Sequence, residues 1–425
     1  MALPRRTVLK WTGAAIVAAL PIPFVLARRR TVPSTLRADK DGVLDLAPGL
    51  SYEVLSRAGQ PMSDGYRVPG LPDGMACFSL GSERFALMRN HEIGRYLGQG
   101  ATPPGKDTPP EAFDKSAHGA VTRVVIDSKS GKKLSENLVL TGTLRNCAGG
   151  TSPWGWLSCE ESVEEGHGYV FLCRPEADRV RAPERLVGYG RMNHESALID
   201  PSTLIAYLSE DRSDSCLYRF LPHHPDDAFT GKLQAMRIVG HDGLDTHLGM
   251  PKDQKLKVDW VDIDRPDPID DSVRKQAHAK GAAKIRRGEG LALHQGTLYL
   301  VATTGGRAGV GQIFALSTQG EEQHFSLVCE SPREEALDCP DNLTLTPWGD
   351  IWVAEDGSGD QFLRGITPQG HVYDIARNAA GRGELTGVCL SPDARTLFVN
   401  LQREGLTFAI RGDLKAARAA ARPMS

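Results

Sequence analysis

Apolar residues along this chain fall in short alternating runs, and each run stops at a Gly, Pro, Asp or Asn. Alternation of period two marks strands whose two faces differ, and the residues between the runs mark tight turns. The runs recur at intervals of about fifty residues, a period that belongs to a propeller or an array. Each unit opens on an acid or a cysteine, passes through a short apolar strand, turns, and climbs a second strand ending in polar or acidic residues. Asp73 leads through 75–78 to Asn90, His91 and Glu92, and Cys147 leads through a tryptophan loop to Glu160 and Glu161. His194 and Glu195 lead through 197–199 to Glu210 and Asp211, and Glu289 leads through 291–293 to 303–306. Asp341 leads through the turn at 347–350 to Glu355 and Asp356, and Glu384 leads through 388–390 to Asn400. Runs at 169–173, 217–221, 312–316, 361–366 and 406–410 supply outer strands. The expected fold class is therefore all-β, a six-bladed β-propeller over residues 31–425, with a short helical insertion at about 240–287.

In such a propeller the innermost strands line a channel, and the loops at one end converge. The repeated acids would gather there, and like charges repel unless cations neutralise them. Metal binding is the chemistry the repeat points to, with scattered surface acids as the alternative. The stretch TLRNCAGGTSPWGWLSCEE, from Thr143 to Glu161, adds thiols to that picture. Cys147 and Cys159 flank one loop beside Glu160 and Glu161, a mixture of soft and hard donors suited to a mixed cluster. Two buried thiols or a disulfide would give the same spacing. His91 and His194 fit core histidines better than ligands.

Composition narrows the partners. Net charge is −3, against a nucleic-acid partner, and the eight cysteines show no zinc-ribbon spacing. The insertion carries Arg274, Lys275, Lys280, Lys284, Arg286 and Arg287, either a solvated helix face or a means of steering an anion. Residues 1–30 begin with Arg5-Arg6 ahead of a modest apolar run broken by Pro21 and Pro23, the pattern of a twin-arginine export leader. Periplasmic or secreted localisation follows, or a membrane tether if the leader is not cleaved.

Several long motifs together resemble the PhoX family of bacterial alkaline phosphatases: PDGMACF with RNHE, NCAGGTSPWGWLSCEE, GRMNHESALIDPSTLIAYLSEDRSDSCLYRF, GEGLALH with ATTGG, PDNLTLTPWGDIWVAEDG and LSPDARTLFVNLQREGLTFAI. The resemblance implies an exported six-bladed propeller that hydrolyses phosphate monoesters at a cluster of calcium and ferric ions; a monomer is the expected state. It implies Cys159 or Cys147 as the iron thiolate. The acidic ligands it implies are Glu160, Glu161, Glu195, Glu210, Glu289, Asp341 and Glu355, with Glu92 a further calcium ligand. The segment ATTGG departs from the serine-containing version common in the family. Phosphoryl transfer needs donors for developing negative charge, so Thr304 and Arg307 beside these glycines are the expected catalytic residues. A calcium-dependent propeller lactonase or phosphotriesterase, or a metal-stabilised binding propeller, would share the scaffold.

Overall fold

Runs rich in Val, Ile, Leu, Phe and Tyr form strands throughout, and the computed structural model describes residues 35–95, 98–103, 106–248, 250–252 and 254–424. The leader expected at 1–30 lies outside the described residues. Short turns keep successive strands antiparallel, and six blades follow one another in chain order. The first comprises Pro72–Ser79, Arg84–His91, Gly119–Asp127 and Lys133–Thr143; the second, Asn146–Ser152, Gly155–Glu160, Val170–Cys173 and Glu184–Arg185. The third comprises His194–Ile199, Ala206–Glu210, Tyr218–His224 and Asp227–Ile238; the fourth, Gly288–His294, Thr297–Ala302, Gln312–Gln319 and Glu322–Glu330. The fifth comprises Pro340–Leu345, Ile351–Glu355, Phe362–Ile366 and His371–Asn378. Leu385–Leu390, Thr396–Leu401 and Leu406–Gly412 form the sixth, completed by Leu50–Arg57 from the N-terminal end.

Each blade presents two apolar faces, and each seam between blades buries its own cluster. Leu157 and Val170 of the second blade pack against Ala197 and Leu208 of the third. Trp352 and Leu363 of the fifth meet Val399 and Phe408 of the sixth, and Leu87 and Val124 of the first meet Phe398 and Ala409 across the closing seam. The core is thus distributed around the ring, because a twisted sheet buried on both faces needs a neighbour on each side. At the closing seam Arg89 pairs with Glu136 at 2.7 Å, both buried, and also donates to Thr407 of the sixth blade; Glu136 accepts from Ser56 on the N-terminal strand at 2.6 Å.

The insertion departs from simple repetition. Its strand Leu256–Asp262 pairs with Asp227–Ile238 on one side and Glu322–Glu330 on the other, joining the third and fourth blades in one nine-stranded sheet. The helical part of the insertion expected at about 240–287 is the helix Val273–Ala279, with Val273 and Ala277 buried. Among the described residues no helix is long and apolar enough to cross a membrane. The six first strands touch in succession around the axis, the sixth meeting the first, and enclose a cavity of about 210 Å³.

Candidate metal centre

Every first strand breaks its ladder at the same place. The register shifts fall between Pro72 and Met75, Asn146 and Gly149, His194 and Ala197, Gly288 and Leu291, Pro340 and Leu343, and Thr386 and Cys389. A β-bulge re-aims the side chains it releases. In five blades the residue entering the bulge is Asp73, Cys147, Glu195, Glu289 or Asp341; in the sixth it is Gly387, which carries no side chain to offer. After Asp73 and Glu289 the next residue is glycine, which lets neighbouring bulges approach. A Cβ on Gly74 would stand 2.6 Å from Ala148 Cα, and one on Gly290 would stand 2.7 Å from Asp341 O. Two positions before the ligand, Leu71, Arg145, Arg287 and Cys339 all have positive φ, between 45° and 50°. Non-glycine residues in this region store strain that costs on the order of 1 kcal/mol or more each, and its repetition marks a site.

The second strands add another ring. The residue just past each second strand is Glu92, Glu161, Asp211, Thr303, Asp356 or Gln402. Atoms of the two rings form three overlapping groups, each within 4.8 Å: Asp73, Glu92 and Cys147; Cys147, Glu161 and Glu195; and Glu195, Glu289 and Asp341. Cys147 and Glu195 are shared, so the groups make one continuous arc. The Cys147 thiol donates to Asp73 Oδ2 at 3.5 Å, and Gln402 Nε2 donates to both Asp73 (3.0 Å) and Glu92 (3.1 Å). Arg145 donates to Glu92 at 2.9 Å and pairs with Glu161. Arg287 holds Asp211 in a two-pronged contact at 2.8 and 2.9 Å and reaches Glu289 at 2.9 Å.

Crowding these acids away from water raises their pKa values. Burial, then the charges of Glu92 and Asp341, pushes Asp73 far up, and burial with Asp341 and Glu161 does the same to Glu195. Burial, then Glu195 and Asp341, pushes Glu289 far up. Asp341 is raised to about 8 by burial and then by Asp356, and Glu161 to about 7 by burial against the opposing charge of Arg145. The Cys147 thiol also stands well above its ordinary value, through burial and then Asp73 and Glu195. Asp73 Oδ1 and Glu195 Oε1 are buried without a hydrogen-bond partner. Unpartnered buried carboxylate oxygens converging with a thiol fit cations, which would supply both the missing partners and the neutralising charge.

The expected residues divide by which side of a strand they occupy. Cys147, Glu161, Glu195, Glu289, Asp341 and Glu92 are brought together. Glu160, Glu210 and Glu355 are not: each is the last residue of a second strand and points into the seam with the preceding blade. Glu160 accepts from the N–H groups of Leu144 and Gly168 at 2.8 Å and pairs with His167 at 2.7 Å. Glu210 accepts from the Tyr218 hydroxyl at 2.8 Å and pairs with Arg274 at 3.3 Å; Glu355 accepts from Arg364 at 2.6 Å and from the Asp338 N–H at 3.0 Å. Cys159 is a core thiol packed with Leu157 and Val170, and all eight cysteines are free. Arg307 is exposed in a hollow with Lys252 and Pro332, its N–H bonded to Glu330, and the half-buried Thr304 belongs to none of the three groups. The arginines placed on the acids are Arg145 and Arg287. Asp73, a member of the first group, also escaped the reading of the sequence as a ligand, as did Asp211 and Asp356 as acids whose charges act on Glu195 and Asp341. His91 and His194 are buried and bonded to the carbonyls of Gly70 and Gly190 at 2.9 Å, as core histidines.

Fold and site together define a β-propeller whose axial end gathers carboxylates and one thiol suited to cations. The chain belongs to the PhoX alkaline phosphatase family, described as "Alkaline phosphatase PhoX", whose profile matches residues 33–405, and the enzyme is a phosphatase. PhoX of Pseudomonas fluorescens, solved with vanadate as a transition state analogue, is similar at a TM-score of 0.68 and 18% identity, covering 88% of this chain and 96% of that one. A gluconolactonase of Xanthomonas campestris is similar at a TM-score of 0.46 and 12% identity, covering 86% of this chain and 98% of that one. No curated protein sequence matches the chain.

Proposed function

We propose that the enzyme hydrolyses phosphate monoesters at the axial end of the propeller, with calcium and ferric ions held by Asp73, Glu92, Cys147, Glu161, Glu195, Glu289 and Asp341. The observation that carries this reading is the arc of overlapping donor groups containing buried, unpartnered carboxylate oxygens. One thiol among oxygens suits iron at the Cys147 end, while the all-carboxylate group of Glu195, Glu289 and Asp341 suits a hard cation such as calcium. When bound, such ions supply positive charge to phosphoryl oxygens and acidify water.

The chain's own residues supply orientation. Arg145 and Arg287 stand above carboxylates at the rim, and a guanidinium matches the geometry of two phosphoryl oxygens. Once cations take over the carboxylates, these donors become available to the ester. Gln402 fixes the orientations of Asp73 and Glu92 together, and Asn193 does the same for Glu161 at 2.9 Å. The Thr303 hydroxyl, buried and without a hydrogen-bond partner, lies where four other blades carry an acid and, like Gln402 in the sixth, is neutral. The proposal includes export through the leader at 1–30 and action as a monomer. It is tested by measuring iron and calcium in the purified protein together with hydrolysis of p-nitrophenyl phosphate. Hydrolysis undiminished after complete removal of both metals would overturn the reading.

A further inference from the structure

Among the described residues the sixth blade supplies no member of the three donor groups, yet its first two strands lie against the strand of the first blade that carries Asp73. The bulge between Pro72 and Met75 interrupts the first blade's own ladder, and backbone groups that lose a ladder partner need another. Thr386 and Asn400, directly opposite each other in the sixth blade and both fully buried, provide it. Thr386 Oγ1 donates to the Pro72 carbonyl at 2.9 Å, and Asn400 Nδ2 donates to the Asp73 carbonyl at 2.7 Å. A third bond from the same blade reaches the carboxylate, where Gln402 Nε2 donates to Asp73 Oδ2 at 3.0 Å. One blade thus holds Asp73 by the peptide on either side of it and by its side chain.

The direction of these bonds is fixed from behind. Arg89, buried against Glu136, donates Nη1 to Thr407 Oγ1 at 2.6 Å, so the Thr407 hydroxyl proton is free to point only at Asn400 Oδ1, 2.7 Å away. That leaves the amide N–H of Asn400 facing Asp73. Gly387 clears the path, because a Cβ there would stand 2.3 Å from Asp73 O and 2.8 Å from Asn400 Nδ2. Where the other five blades carry a donor, the sixth leaves a gap through which its second strand reaches the first blade. All three of its donors are neutral. A cationic side chain would compete with a metal ion for the carboxylate, whereas amides and a hydroxyl fix the residue and leave Asp73 Oδ1 without a partner.

We infer that Thr386 and Asn400 are positioning residues that set Asp73 against Glu92 and Cys147, so that the group containing the thiol is formed before a cation arrives. The inference deepens the metal-dependent phosphatase reading and rests on it for the identity of the ion. Neither side chain bonds Glu195, Glu289 or Asp341, so the all-carboxylate group keeps its geometry without them.

Three variants test this. Thr386→Val keeps the shape of the side chain and removes its hydroxyl, Thr386→Ser keeps the hydroxyl, and Asn400→Leu removes the amide. Chelated protein is titrated with ferric citrate and, separately, with calcium chloride. Thr386→Val and Asn400→Leu are expected to weaken iron binding by about tenfold or more and to leave calcium binding as in the parent, with Thr386→Ser close to native. A side chain that served the fold alone would affect both ions together. Hydrogen exchange of residues 72–76 in the metal-free protein gives a readout that needs no ion; it should quicken in Thr386→Val and Asn400→Leu and stay native at the bulges of Glu195 and Glu289. Equal loss of both ions, or native exchange at 72–76 in Thr386→Val, would overturn the inference. A native protein that binds neither ion, with variants that still loosen at 72–76, would instead remove the cations from the phosphatase reading and leave the sixth blade as the support of Asp73.

Discussion

The two cysteines of the tryptophan loop separate metal chemistry from packing within one hairpin. Cys147 lies in two of the three donor groups, whereas Cys159 touches apolar neighbours, and burial alone raises its thiol. Cys147→Ser is expected to lower bound iron and turnover together, because a hydroxyl replaces the one soft donor of the arc. Cys159→Ser should keep its metal and lose about 1–3 kcal/mol of stability, the cost of a hydroxyl buried without a partner. Elemental analysis beside thermal unfolding distinguishes the two, and iron lost from Cys159→Ser instead would reverse the assignment. A similar contrast separates two arginines. Arg287→Ala should reduce turnover on the order of a hundredfold by removing a donor to developing charge, while Arg307→Ala, out at Glu330, should leave the rate near that of the parent. Equal rates for the two variants would show that Arg287 serves the carboxylates alone.

Strand alternation explains how much of the site the sequence disclosed. The period of about fifty residues, the turn residues and the apolar runs made six blades and their order legible, because each of those signals is local. The choice between adjacent acids was not. Glu160-Glu161, Glu210-Asp211 and Glu355-Asp356 are pairs in which one member serves the seam and the other the axis, and a one-residue step reverses the face. Composition treats the members as equivalent; the register of the second strand decides. The bulges were equally hidden, since a bulge is defined by the partner strand. Their dependence on a missing side chain is testable through Gly74→Ala, whose new methyl meets backbone of the next blade. Overpacking of this kind costs about 1–3 kcal/mol, and here it should also part Asp73 from Cys147 and lower the metal content. Unchanged metal in a correctly folded variant would mean that the bulges can separate without loss.

At the scale of the molecule, the carboxylate arc sets stability against pH. Glu161 at about 7 and Asp341 at about 8 bind protons more tightly folded than unfolded, where carboxyls titrate near their ordinary values of 4.5 and 3.8. In the metal-free protein their contribution is present below those ordinary values and is lost as pH rises towards 7 and 8. Chelated protein is therefore expected to fall in Tm across that window, while loaded protein holds its Tm because cations replace the protons. Parallel Tm profiles with and without chelator would contradict the arc as a cation site. The closing seam makes a separate demand. Glu136→Gln leaves the Arg89 guanidinium buried without a countercharge, which should cost about 3–5 kcal/mol, readable by denaturant unfolding.

The strand that closes the ring is made early and used late. Leu50–Arg57 leaves the ribosome long before Leu406–Gly412, so its ladder partner does not exist for most of the time the chain is being synthesised. The arc has the same property, because its donors run from Asp73 to Asp341 and its rim includes Gln402. Translation must therefore run past Gln402 before the arc, and past Leu406–Gly412 before the ring, can be complete. A chain stopped short of Leu406 carries an edge strand with an apolar face and a set of mutually repelling acids, and such a fragment is suited to chaperones and proteases rather than to phosphate esters.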